Sequence, residues 1–134
     1  MTAAPERAQV TGWDWFGVAL LTASGVLAGL LETLLVPLYV GSTVFPVAIV
    51  ISLVSNVLLP WLARLLVPTT VGVLLPFGGW LLAVLVFGAA GRPEGDVILP
   101  GSPNSLSYVT YGVIIGGFVA GVATVIWLTA PRPA

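Results

Sequence analysis

The chain has 134 residues, 58% of them hydrophobic and 7% charged, with a formal net charge of −1 and a mean hydropathy of +1.12. Soluble domains carry about 25% charged residues, so this composition cannot clothe a water-facing surface and implies an integral membrane protein with a single membrane domain. There is no Lys, His or Cys, which excludes a basic nucleic-acid surface, thiolate or imidazole metal sites, haem held by His and any Cys/His or Ser/His nucleophilic dyad. On that inventory no catalysis, cofactor or metal is expected.

The opening MTAAPERAQ carries one Glu and one Arg and lacks the basic region of a secretory signal. The apolar run behind it is about 24 residues long, so it is expected to stay as the first membrane span, about residues 15–38. Val36-Pro37 and the turn-forming Tyr39-Val40-Gly41-Ser42-Thr43 close it. Further spans are expected over residues 46–67, 71–90 and 108–129, and none has the alternation of about ten residues that marks an outer-membrane barrel strand. The link Val67-Pro68-Thr69-Thr70 is short enough to make the second and third helices antiparallel neighbours. Residues 91–107, GRPEGDVILPGSPNSLS, form the one long connection. The expected fold is all-α: a polytopic membrane protein whose four transmembrane helices make an antiparallel bundle.

Four spans put both termini and the Pro68 link on one side, with Arg7, Arg64 and Arg132, and leave Arg92 on the other. The positive-inside rule therefore places both termini in the cytoplasm. Trp13, Trp15, Trp61 and Trp127 fall near span ends, as an aromatic belt requires, whereas Trp80 lies about nine residues into its span.

In the first span Gly25-x-x-x-Gly29 shares a face with Ala28 and Glu32, since offsets of three, four and seven fall on one side of a helix. Small residues let membrane helices approach closely, so this face is expected to meet another helix and to carry Glu32 into the bundle. The fourth span has Gly112, Gly116 and Ala120 at four-residue spacing, with Gly117 and Gly121 one step round; the third has Gly72, Gly79 and Ala83. Packing within the chain, or homo-dimerisation through an outward stripe, would use these surfaces. The second span carries Ser55 and, on one face, Ser52, Asn56 and Pro60. Pro60 cannot donate to the Asn56 carbonyl, so a kink with an interhelical hydrogen bond is expected there, the alternative being a cation or water site.

The charges sort by height into two pairs of opposite sign. Glu32 is expected in the outer third of the membrane, level with Arg92, and Asp14 is expected level with Arg64 on the inner side. A partnered carboxylate is far cheaper than an isolated one, so Glu32–Arg92 is a candidate ion pair, with Glu94 and Asp96 as competing partners for Arg92. A divalent-ion site from Glu94 and Asp96 is a further alternative, with a weak signal, since two carboxylates lack the further oxygen ligands that such an ion takes.

Four spans in a short chain with one Glu in the first resemble the small multidrug-resistance transporters, although those carry their Glu near the middle of that span. This resemblance implies proton- or cation-coupled transport through Glu32. The segments Gly79-Trp80-Leu81-Leu82-Ala83-Val84 and Gly91-Arg92-Pro93-Glu94-Gly95-Asp96 resemble an uncharacterised family of small actinobacterial membrane proteins, in which an R-P-E-G-D run follows the third of four helices. That resemblance implies a four-span protein of a bacterial plasma membrane and supplies no activity, catalytic residue or cofactor. The expected role is that of an accessory or scaffolding component, acting through helix–helix contacts with itself or with a larger membrane complex, and the alternative is a transporter using Glu32.

Overall fold

The first helix starts where Thr11 and Asp14 close a capping box: the Asp14 carboxylate accepts from the Thr11 backbone N–H at 2.7 Å, and the Thr11 hydroxyl accepts from the Asp14 N–H at 3.4 Å. Two of the orphan donors at the helix start are satisfied in this way, and a negative charge sits favourably at the positive end of the helix dipole. The computed structural model describes residues 8–89 and 107–133. Helix α1 runs Gly12–Leu35, α2 Val47–Leu66 and α3 Thr70–Ala89; the fourth span is α4 (Ser107–Tyr111), a π-helical turn (Gly112–Gly116) and α5 (Gly117–Thr129). All four spans are long and apolar enough to cross a membrane, and they pack into an all-α four-helix bundle.

The expected boundaries move little, except that α1 ends at Leu35 rather than at residue 38. Pro37 has no N–H to carry the helical ladder on. The chain instead turns through a short antiparallel hairpin, β1 (Tyr39–Val40) against β2 (Thr43–Val44). Gly41, with φ +66°, supplies the left-handed position that this two-residue turn requires. Pro60 and Pro76 lie inside α2 and α3, which continue through them.

Helices α1 and α3 run parallel and pack most extensively on one another; α1 also packs antiparallel on α2, and the fourth span lies against α2 and, less, α3. Glycine sets the closeness of the α1–α3 approach. A Cβ on Gly25 would collide with the Pro76 carbonyl oxygen, and one on Gly29 would lie 2.9 Å from the Trp80 carbonyl oxygen and 3.0 Å from Ala83 Cβ. Without a hydrophobic drive between helices in lipid, such van der Waals proximity is a principal source of association. On the opposite side of α1, Leu20, Leu27, Leu31 and Leu34 form an exposed apolar stripe suited to acyl chains.

Three apolar clusters complete the interior. Val18, Ala63 and Val67 hold the start of α1 to the end of α2, and Val36, Val44, Ala48, Val109 and Val113 join the hairpin end to the fourth span. Between them Phe77, Trp80 and Val84 fill the centre.

A Cβ at Gly25 has only backbone to displace, so Gly25→Ala is expected to destabilise the bundle by about 1–3 kcal/mol. Gly78 has open space around its Cβ position, so Gly78→Ala is expected to change stability by no more than about 1 kcal/mol. Thermal melts of the purified protein in detergent would measure both. Equal melting temperatures for the two variants would show that close α1–α3 approach does not hold the bundle together.

Candidate functional site: a buried carboxylate

Glu32 lies three residues before the end of α1 on the face that holds Gly25 and Gly29, and it is 0% exposed. A carboxylate buried at membrane depth without partners costs several kcal/mol, so its surroundings must supply donors. Two neighbouring helices do so. The Trp80 indole Nε1–H of α3 donates to Glu32 Oε2 at 2.6 Å, and the Ser55 hydroxyl of α2 donates to Oε1 at 3.1 Å. One side chain thus ties α1 to both α2 and α3.

The polar network extends to the fourth span. Asn56, itself buried, donates through Nδ2 to the Ser52 carbonyl at 2.9 Å, and the Ser55 hydroxyl lies 3.3 Å from that same oxygen. The buried Ser52 hydroxyl donates to the Val113 carbonyl at 3.0 Å, within the π-helical turn. Hydroxyl, indole and carboxylate groups together link all four spans at one level. No buried side-chain polar atom is left without a hydrogen bond among the described residues.

The aromatic part of the site is held as firmly. Trp80 is 1% exposed, and its ring stacks on Phe77 with centroids 5.9 Å apart and planes 15° from parallel. A Cβ on Gly117 would strike both the Trp80 ring and the Ser52 hydroxyl, and one on Gly121 would strike the Phe77 ring. Glycine at these positions leaves the space into which the two aromatic side chains lie. Gly112 faces Ile49 in the same way, whereas Gly116 stands at an ordinary 3.4 Å from Leu53.

Several of the expected placements change. Glu32, in the last third of α1, meets side chains rooted near the middle of α2 and α3. Arg92, Glu94 and Asp96 lie outside the described residues, and so does the Glu32–Arg92 pair. The Asp14–Arg64 pair is not formed; Asp14 is engaged by Thr11 in the capping box, and Arg64 stays half-buried at the end of α2. Ser52, Asn56 and Pro60 are all buried on one face of α2, but the interhelical bond comes from the Ser52 hydroxyl and the Asn56 amide turns back to its own helix.

The donors to Glu32, Trp80 and Ser55, are what the sequence alone did not reveal. Trp80 had left a signal, since an indole in mid-span is too deep for the aromatic belt and must find an acceptor inside. No three His, Cys, Asp or Glu gather into a metal site among the described residues. Compared with protein-family models, with curated proteins and with solved structures, the chain matches none.

Trp80→Phe keeps an aromatic ring on Phe77 but removes the Nε1–H donor, and is expected to cost about 1.5–3 kcal/mol, the usual worth of a hydrogen bond to a charged group. In a double-mutant cycle with Glu32→Leu, the two losses are expected to fall short of additivity by about 1 kcal/mol or more. Strict additivity in denaturation experiments would mean that the pair contributes no shared stability.

Proposed function

We propose that this chain is a non-catalytic accessory or scaffolding protein of the membrane, acting through helix–helix contacts with itself or a larger complex. The observation that carries this reading is the use made of Glu32: both carboxylate oxygens are taken up by donors on two other helices, so the side chain serves to lock the bundle. Around that lock the outer faces of the spans are apolar and suited to lipid or to another helix. The R-P-E-G-D resemblance supports a bacterial plasma membrane, and the placement of Arg residues supports cytoplasmic termini.

A second reading, a small proton- or cation-coupled transporter, draws on a different observation. Ser55 not only touches Glu32 but also borders a groove of about 440 Å³ between α1 and α2, whose walls include Ser24, Ala28, Ile51, Val54 and Leu58. A carboxylate one hydroxyl away from a lateral opening is placed to exchange charge with it.

In vesicles, the full chain is expected to pass protons and monovalent cations no faster than empty vesicles do, with wild type and Glu32→Gln alike. A pH-driven flux present in wild type and abolished by Glu32→Gln would overturn the accessory reading in favour of transport. The orientation is tested with introduced cysteines, since the chain has none of its own. A membrane-impermeant maleimide applied to intact cells is expected to label Ser42→Cys in the hairpin and to leave Ala130→Cys unlabelled until the cells are permeabilised. The reverse pattern would invert the topology.

A further inference from the structure

We propose that Glu32 is a reversible proton-binding site, with Ser55 as the hydroxyl through which its proton reaches the α1–α2 groove. The two donors that meet the carboxylate, Trp80 Nε1–H and Ser55 Oγ–H, are both neutral, so they solvate a negative charge without cancelling it. Among the described residues, the ionisable groups of the surrounding elements stand apart from it. Asp14 is at the opposite end of α1, and Arg64 is about 13 Å along α2 from Ser55. Helix α3 carries no ionisable side chain over Thr70–Ala89, and on the fourth span Tyr108 and Tyr111 point outward. A proton is the counter-charge that needs the least space at a side chain that is fully buried.

The hydrogen bonds around Glu32 can serve both forms. In the ionised form the Ser55 hydroxyl donates to Oε1 at 3.1 Å. When a proton is added to Oε1, the carboxyl O–H donates to Ser55 Oγ across the same distance. The Ser55 hydroxyl then turns its own hydrogen to the Ser52 carbonyl, 3.3 Å away. That carbonyl has a second lone pair free beside the one used by Asn56 Nδ2. Trp80 continues to donate to Oε2 in both forms. Charge at the site changes by one, the proton count balances, and no polar atom is stranded, which is the condition for a buried network to hold two states. Ser55 is the half-buried member, with the groove on its other side: a hydronium ion reaching the groove gives a proton to Ser55 Oγ as the hydroxyl passes its own hydrogen to Oε1 and leaves as water, and release runs the same two transfers in reverse. This site stands beyond the accessory reading: binding a proton requires no flux, and the vesicle flux assay and the measurement below can fail separately.

The test is an infrared titration of the full chain in phosphatidylcholine vesicles, taken from acid to alkaline pH. A carboxylic C=O band that grows on acidification, reverses on return and is missing from Glu32→Gln is expected. Gln at this position can accept from Trp80 and donate to Ser55, so the variant imitates the protonated form. Ser55→Ala is expected to keep the band but slow its hydrogen–deuterium exchange by about tenfold or more. Independently of the Gln variant, the Trp80 indole N–H signal, assigned by its loss in Trp80→Phe, is expected to weaken on acidification as its acceptor becomes neutral. Absence of any Glu32-dependent band, or a band that pH does not alter, would overturn the proposal. So would unchanged exchange in Ser55→Ala, or a titrating band that emerges only in Arg92→Ala.

Discussion

One carboxylate sets the terms for the middle of this bundle. Glu32 is fully enclosed, and an enclosed carboxylate needs donors on both oxygens whatever else it does. Supplying them dictates neighbours. An indole must sit half-way along α3, a hydroxyl must face it from α2, and α1 must approach both closely enough for hydrogen bonds of 2.6 and 3.1 Å. The glycines follow from that demand. Gly25 and Gly29 bring the α1 backbone onto α3, and Gly117 leaves the pocket into which the Trp80 ring fits. Polar constraint and close packing are here one arrangement seen from two sides.

The irregularities of the helices belong to the same arrangement. In hydrocarbon an interrupted ladder is tolerated where protein covers it. Pro60 and Pro76 are both fully buried, and the Pro76 carbonyl is the surface against which Gly25 packs. The π-helical turn of the fourth span has a clearer geometric effect. At regular α spacing Gly112 would stand in line with Gly116 and Ala120. One residue inserted by the wider turn brings Gly117 and Gly121 into line instead, and these two are buried against Trp80, Ser52 and Phe77. The same turn presents the Val113 carbonyl to the Ser52 hydroxyl. A single irregular turn therefore re-phases the helix and joins it to the polar network.

The spans were legible in the sequence because four apolar runs of membrane-crossing length, nearly free of charge, are stable in hydrocarbon and not in water. The observed helices fall within a few residues of the expected ones. The inward face of α1 was legible too, from spacing alone. The level at which Glu32 meets α2 and α3 was not, because counting along one helix says nothing about its offset from the next. Val18 packs against Ala63 and Val67 at the end of α2, so the start of α1 projects past its neighbours and Glu32 is carried to their middle. Matching heights also misassigned Asp14: Thr11 and Asp14 have the spacing of a capping box, and a local bond formed within one turn forestalls a distant partner. The π-helical turn leaves no mark in a sequence pattern judged against regular periodicity.

What Glu32 does as a fastener does not by itself require a carboxylate. A glutamine there would accept from Trp80 through its carbonyl, donate to Ser55 through its amide, and let Ser55 turn to the Ser52 carbonyl. It would do all this without placing a charge at membrane depth, where ionisation costs several kcal/mol. The three helices would be joined with every polar atom satisfied. Carboxylate and amide differ in one capacity at this position, the gain and loss of a proton. The network around Glu32 has the donors for one form and the acceptors for the other. The fastening of the bundle and the proton chemistry of the site therefore fall on the same atoms, and a change in one is felt by α1, α2 and α3 together.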